Sequence, residues 1–346
     1  MKDFSSILLS WYAIHKRALP WREVKDPYLI WISEIILQQT RVAQGYDYFL
    51  RFVKRFPNVQ SLAEASQDEV LKYWEGLGYY SRARNLHEAA RSMNGVFPSS
   101  YPEVLALKGV GEYTAAAICS FAYQMPYAVV DGNVYRVLAR IFGIDTPADT
   151  AAGKKCFHDL AQKLLDIRRP DDYNQAIMDF GALQCVPGQP DCKKCPFSRR
   201  CVAYKTGRVS QLPVRKDKTS ISNRFFSYIY VKQGRCTWLH RREKQDIWRG
   251  LYEFPLIETD GPVTLEQLKK NPLWRKYFSS YTPCLLCGPV KHVLSHRVIY
   301  AWFYLVTVPR SFPVPEGFAP VAQQNLKEYA FPRLLQKILS QQDLCR

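Results

Sequence analysis

The chain has 346 residues, 47% of them hydrophobic, which is enough for two or three compact units with their own cores. Its 48 Lys and Arg against 31 Asp and Glu leave a formal charge of +17, favouring a polyanionic partner, nucleic acid before membrane surface. No apolar run reaches the roughly 18 residues of a membrane span, the Met1-Lys2-Asp3 start has no signal-peptide pattern, and ten cysteines without a secretion signal imply a reducing compartment.

Residues 1 to about 200 read as helix after helix. Apolar residues recur at helical spacing in Phe4–His15, Tyr28–Val42, Tyr46–Phe56, Glu69–Trp74, Ala83–Met93, Thr114–Phe121, Val134–Phe142 and Ala152–Leu165. The breaks carry Pro, Gly or Asn, as in Phe56-Pro57-Asn58 and Asn94-Gly95. Glu34 interrupts the apolar run Leu29–Leu37 on a helix begun by Asp26-Pro27. It is either on the wet face of that helix or faces a pocket. In a pocket, desolvation would raise its pKa and make it a proton donor near neutrality. Further on, Lys108-Gly109-Val110-Gly111 opens a helix of small residues, Ala115-Ala116-Ala117. Glycine lets a backbone turn sharply and approach a phosphate, and free N–H groups at the helix start point at the anion. The alternative is an ordinary Gly-rich turn. Asp131-Gly132-Asn133 then begins the helix Val134–Phe142. Asp131 is a candidate N-cap, a common structural role; a capping carboxylate also stays ionised and suits stabilisation of a sugar cation. A raised carboxyl beside a depressed one is the arrangement glycosidic cleavage uses.

Cys185, Cys192, Cys195 and Cys201 follow at spacing C-x6-C-x2-C-x5-C, all within seventeen residues. Zinc sites usually arrive as two CxxC pairs, whereas one CxxC flanked at unequal distances suits a cubane needing four thiolates. Between Val186 and Arg224 stand ten Lys or Arg against two acids, the end of this loop plus a basic linker. From about Phe225 the texture changes. Phe225–Lys232, Cys236–His240, Cys284–Cys287 and Val298–Val308 read as strands, Thr264–Leu273 and Phe331–Leu339 as helices, giving a separate α+β domain. Cys284, Cys287, His292 and His296 outline a zinc knuckle, but a strand would put the two cysteines on opposite faces.

The order of the cysteine spacings resembles the cluster loop of the endonuclease III superfamily of DNA glycosylases. Within it, the chain resembles the adenine DNA glycosylases of the MutY type over nearly its whole length. The matching stretches are Leu19-Pro20-Trp21-Arg22, Trp31-Ile32-Ser33-Glu34, Leu37-Gln38-Gln39-Thr40, Gly76 to Asn85 and Val130 to Val134. The resemblance implies that Glu34 protonates the adenine and Asp131 stabilises the oxocarbenium ion. It implies that Tyr113 lines the catalytic pocket and Asn133 supports Asp131. DNA contacts are implied for Arg22, Leu37, Gln39, Tyr79, the hairpin residues Lys108, Gly109 and Gly111, and for Ser295 and His296. Gln39 and Tyr79 would wedge into the base stack, and a [4Fe-4S] cluster would sit on Cys185, Cys192, Cys195 and Cys201 as structural support. The loop before Cys192 lacks the basic residues relatives carry, which leaves Lys193 and Lys194 for phosphate contacts.

The implied architecture is a mainly α N-terminal region over 1–204 with a helix-hairpin-helix. It comprises a six-helix barrel at about 26–124 and an iron–sulfur cluster domain at about 1–25 and 125–204. A basic linker over 205–224 and an α+β Nudix-like lesion-recognition domain over 225–346 complete it. Trp248 to Pro255 matches that domain's G-L-W-E-F-P stretch, whereas the acidic R-E-x-x-E-E run of a working Nudix hydrolase is absent. Leu294-Ser295-His296 falls at the loop that senses 8-oxoguanine. The implied activity is monofunctional hydrolysis of the N-glycosidic bond of adenine opposite 8-oxoguanine or G. The enzyme would be a monomer on duplex DNA, without membrane contact, in a cytoplasmic, nucleoid-associated and bacterial setting. The alternatives are an endonuclease III-type glycosylase and lyase for oxidised pyrimidines, against which Tyr113 stands where a Lys is needed, and a non-catalytic cluster-bearing DNA-binding protein.

Overall fold

A computed structural model describes residues 2–216 and 221–341, so 217–220 of the expected linker and the last five residues lie outside the described residues. The chain divides into two compact units, Met1–Glu64 with Asn85–Asp217, and Ala65–Arg84 with Lys218–Arg346. In chain order the helices are α1 Lys2–His15, α2 Pro27–Leu37, α3 Val42–Arg55, α4 Val59–Glu64, α5 Gln67–Tyr73, α6 Ser81–Ser92, α7 Tyr101–Ala106, α8 Glu112–Tyr123, α9 Gly132–Phe142, α10 Ala151–Leu164, α11 Pro170–Leu183 and α12 Val202–Lys205. There follow β1 Ser222–Gln233, β2 Cys236–Arg241, β3 Tyr252–Glu253, β4 Leu256–Thr259, α13 Leu265–Lys269, α14 Pro272–Tyr277, β5 Cys284–Val293, β6 Arg297–Val308, β7 Ala319–Ala322 and α15 Arg333–Gln341.

The first unit is helical among the described residues, with α2 against α8 and both α1 and α9 against α11. Its helix starts follow from side-chain caps. Asp26 accepts from the Tyr28 amide beside Pro27, and Thr150 accepts from the Gly153 amide. The helix expected over Tyr28–Val42 instead stops at Leu37, because Gln39 turns left-handed at φ 57° before α3 begins. Helix α11 has no counterpart in the sequence reading. Its buried face carries Asp171, Asn174, Gln175 and Asp179 among the apolar residues, which blurs the hydrophobic period.

The second unit is a seven-stranded sheet of path β3-β2-β1-β6-β5, with β4 beside β1 and β7 beside β2. Strands β1 and β6 are parallel over their whole length, and the other pairings are antiparallel. Phe226, Tyr228 and Tyr230 face a core closed by Leu334, Leu335 and Ile338 of α15. Ile229 and Val231 face a second core with Leu268, Trp274 and Phe278. Burial on both faces explains why β1 reads as a near-continuous apolar run rather than an alternation. Each such fully buried aliphatic or aromatic side chain is worth about 1.5–3 kcal/mol. The single helix expected over Thr264–Leu273 is two, since Pro272 starts α14 with Asn271 as its cap.

One expectation about the fold is corrected. Among the described residues no group of three or more His, Cys, Asp or Glu side chains is placed to hold a metal ion, so the helical unit has no iron–sulfur cluster domain.

Candidate active site

Helix α2 carries Glu34 into a cavity of about 600 Å³ in the first unit, lined also by Arg22, Leu37, Tyr113, Asp131 and Asn133. Glu34 is only 7% exposed, so it belongs to the pocket and not to the wet face of α2. The Tyr113 hydroxyl, at the start of α8, donates to Glu34 Oε2 at 2.8 Å. Burial pushes the Glu34 carboxyl up to about 7, against the Tyr113 hydrogen bond and the Arg22 charge, which pull it down. The Tyr113 phenol is held well above its ordinary value, first by burial and then by the neighbouring carboxylates Glu34 and Asp131.

Asp131 is the N-cap of α9. Its Oδ1 accepts from the backbone N–H of Asn133 and Val134 at 2.9 and 2.8 Å, and its Oδ2 accepts from Asn133 Nδ2 at 2.8 Å. The cap bonds favour the ionised form, yet burial outweighs them and the carboxyl lies above its usual value. The expected contrast of one raised and one depressed carboxyl is therefore softened: both are raised.

Two supports escaped the sequence reading. Arg136, one turn after Asn133, donates to Asn133 Oδ1 at 2.8 Å and to the Gly181 carbonyl at 2.6 Å. A Cβ at Gly181 would meet Asn133 Cβ at 2.6 Å, so α9 and α11 approach closely only because that position is glycine. Asp179, fully buried on α11, accepts from Arg22 at 2.9 Å and pairs with Arg17. Arg22 is thus fixed at the cavity wall, with Gln175 Oε1 accepting from it at 3.0 Å. The i, i+3 spacing of Asn133 and Arg136 was a readable signal; the Arg22–Asp179 pair, over 150 residues apart, was not.

The hairpin residues lie elsewhere in the unit, between α7 and α8. Gly109 has φ 80°, and a Cβ there would strike Asn85. Lys108 and Gly111 are exposed, Lys108 within 3.7 Å of Glu88. Gln39 is exposed just past the end of α2.

Cys185, Cys192, Cys195 and Cys201 line one small pocket. Their thiols are nevertheless not arranged as a ligand set. Cys201 Sγ donates to the Arg140 carbonyl at 3.2 Å, and Cys185 Sγ accepts from Arg140 Nη1 at 3.5 Å. Burial pushes the thiols of Cys192, Cys195 and Cys201 up, Cys195 to about 11. The [4Fe-4S] expectation is corrected accordingly, and no step below depends on such a group.

In the second unit, Tyr79, Leu294, Ser295 and His296 line a cavity of about 640 Å³ together with Trp248. Leu294-Ser295-His296 forms the tight turn between β5 and β6, closed by the Leu294 N–H donating to the Arg297 carbonyl at 2.8 Å. Ser295 and His296 are exposed, and the Ser295 hydroxyl is hydrogen-bonded to the Tyr79 hydroxyl. The turn is anchored by Asp246, which sequence reasoning missed. Its carboxylate accepts from Arg224 and Arg297 at 2.9 and 2.8 Å and from Arg242 at 3.1 Å. Burial acts to raise this carboxyl, but the arginine bonds prevail and hold it well below the usual range.

A family model described as a HhH-GPD superfamily base excision DNA repair protein matches residues 32–169, and a NUDIX domain model matches residues 227–341. The adenine DNA glycosylase of Buchnera aphidicola subsp. Acyrthosiphon pisum (strain APS) is 35% identical over 349 residues, covering 97% of this chain and 96% of the relative. That of Buchnera aphidicola subsp. Schizaphis graminum (strain Sg) is 36% identical over 275 residues, covering 78% and 79%. Among solved structures, a thermostable thymine-DNA glycosylase superposes with a TM-score of 0.56 at 32% identity, covering 59% of this chain and 96% of that one.

Proposed function

Since the chain belongs to the adenine DNA glycosylases of the HhH-GPD superfamily, adenine-specific DNA N-glycosylases of base excision repair, we propose that it removes adenine paired with 8-oxoguanine, or with G, and leaves the strand uncut. The observation that carries this is Glu34, buried beside Asp131 in one cavity with its carboxyl at about 7. At that value a large fraction of Glu34 is protonated at neutral pH and can act as general acid.

An adenine inside a duplex is out of reach, so it is flipped at a cost of a few kcal/mol. Glu34, oriented by the Tyr113 hydroxyl, gives its proton to the base. The C1′–N9 bond breaks with its electron pair going to the adenine, and the sugar cation is stabilised by Asp131, which Asn133 and Arg136 hold in place. Water then adds to C1′, and the proton it loses returns to the Glu34 carboxylate, which restores the acid. Strand cleavage would need an amine nucleophile. Among the described residues the cavity is lined by arginines and Tyr113 but no lysine, which supports a monofunctional enzyme. Residues 225–346, with Ser295 and His296 at their exposed turn, are proposed to read the opposite base, the protein acting as a monomer.

Single-turnover assays on duplexes holding A opposite 8-oxoguanine, A opposite G, and thymine glycol test this. Adenine should leave the first two, with breaks appearing only after alkali. Release of thymine glycol, or strong borohydride trapping that depends on one lysine, would overturn the assignment in favour of a lyase of the endonuclease III kind.

A further inference from the structure

Between the C-terminal end of β5 and the outer face of α15 lies a second cavity of the second unit, about 630 Å³, with no place in the glycosylase chemistry. Helix α15 is amphipathic. Leu334, Leu335 and Ile338 enter the core, which turns Arg333, Lys337 and Ser340 outward at i, i+4 and i+7. Lys291 and His292 of the edge strand β5 line the same cavity. Arg333, Lys337 and Lys291 are exposed, and the lining contains no Asp or Glu among the described residues.

This differs from the cluster beneath the β5–β6 turn, where Arg224, Arg242 and Arg297 pair with Asp246, and Arg242 also with Glu253. The field at the unmatched cluster is felt by His292. Burial, then Arg333 and Lys337, hold its imidazole below the ordinary value. Three like charges around one concavity repel unless an anion sits among them.

We infer that this cavity is a phosphate site and that it takes a backbone phosphate of the bound duplex. The lining suits phosphate chemistry: cationic stems and the His292 imidazole, with only Val290 and Leu334 as apolar walls and no Phe, Tyr or Trp. Its position supports the duplex as the source. The His292 ring meets Trp248 edge-on at 5.9 Å, and Trp248 lines the cavity of Ser295 and His296. Lys291 and Ser295 are four positions apart, at most about 13 Å, or no more than about four nucleotides of one DNA strand. The contact fixes register and carries no sequence information. It rests on DNA binding alone and not on 8-oxoguanine being the base that is read.

The test uses the full-length protein and an undamaged duplex, with affinity measured across a potassium chloride series. Arg333→Gln with Lys337→Gln should weaken binding and lower the slope of log K against log salt by about 1, the value for one lost phosphate. Lys291→Gln alone should move the slope in the same direction. Lys269→Gln with Lys270→Gln, an equal charge loss on the exposed α13 side, should leave the slope within error of wild type. Melting temperatures confirm that each variant is folded. An unchanged slope in the Arg333 and Lys337 variant overturns the inference, as does an equal drop in the α13 control. Orthophosphate that raises the wild-type melting temperature while the DNA slope stays unchanged in the variant overturns the duplex as the source. The ratio of excision opposite 8-oxoguanine and opposite G is read separately, so that failure of lesion reading and failure of the phosphate site appear in different measurements.

Discussion

Glu34 and Ser295 are both candidate DNA-facing groups, yet their surroundings are opposite. Glu34 is sunk in a helical scaffold, 7% exposed, with one hydroxyl as its partner. Ser295 sits on a hairpin turn, exposed, with its turn fixed from below by the arginines gathered on Asp246. The difference fits the tasks proposed for them. A proton donor working near neutrality needs desolvation to raise its pKa, and only a packed interior supplies that. A group that reads a base edge must present a hydrogen bond to an incoming partner, so it stays wet while its backbone is held still.

The sharpest way to break this contrast is to remove charge without shape in the helical unit. Glu34→Gln should lose at least roughly a hundredfold in single-turnover excision, the usual worth of a general acid, while retaining DNA binding. Asp131→Asn should lose on the order of a hundred- to a thousandfold by the loss of the charge facing the cation. Near wild-type excision by either variant would remove that residue from the mechanism. In the other unit, Ser295→Ala with His296→Ala should narrow the preference for 8-oxoguanine over G by about 1–3 kcal/mol, read as the ratio of the two excision rates. An unaltered ratio would mean that recognition does not reside in the β5–β6 turn.

The smallest expected effect concerns pH. In the proposed mechanism Glu34 acts in its protonated form, so the rate should fall as pH rises through about 7. The Tyr113 hydrogen bond favours the ionised form, so Tyr113→Phe should raise the Glu34 pKa and carry that limb to higher pH. A limb that stays put or moves down would show that Glu34 is not the group titrating. Stability follows with its own sign. The folded-state pKa is raised, so the Glu34 contribution is fully present below about 4.5 and is lost as pH rises to about 7. Thermal melts of Glu34→Gln should therefore show a gain over wild type that is larger at pH 8 than at pH 4.5, by at least roughly 2–4 °C.

Part of the cavity lining was legible because it depends on residue type at short spacing. Glu34 stood out as a carboxyl in an apolar run, and Asp131 as a cap before Gly132-Asn133. What was hidden depends on distant pairs. Asp179 meets Arg22 across 157 positions, and Asp246, in the loop after β2, gathers Arg224 from β1 and Arg297 from β6. Short strands such as β3, β4 and β7 carry too few residues for a period to show. The four cysteines mark the reverse failure. Their spacing pointed to a cluster, whereas among the described residues they are not placed as a ligand set, and Cys185 and Cys201 bond to Arg140 instead. The depressed pKa expected for Asp131 failed for a related reason, since burial, which sequence cannot weigh, exceeds the cap bonds.

Residues 65–84 leave the ribosome early but belong with the last third of the chain. Tyr80 donates to the Phe331 carbonyl 251 positions later, and the Phe331 amide donates to Glu75. At translation rates of about 5–20 residues per second, that segment waits roughly 10–50 s for its partners to be made. Meanwhile Leu71 and Trp74, fully buried in the finished protein, lack part of their covering. The chain order therefore sets a burden on its own synthesis, an interval in which an apolar stretch must be shielded by the helices already formed or by a chaperone.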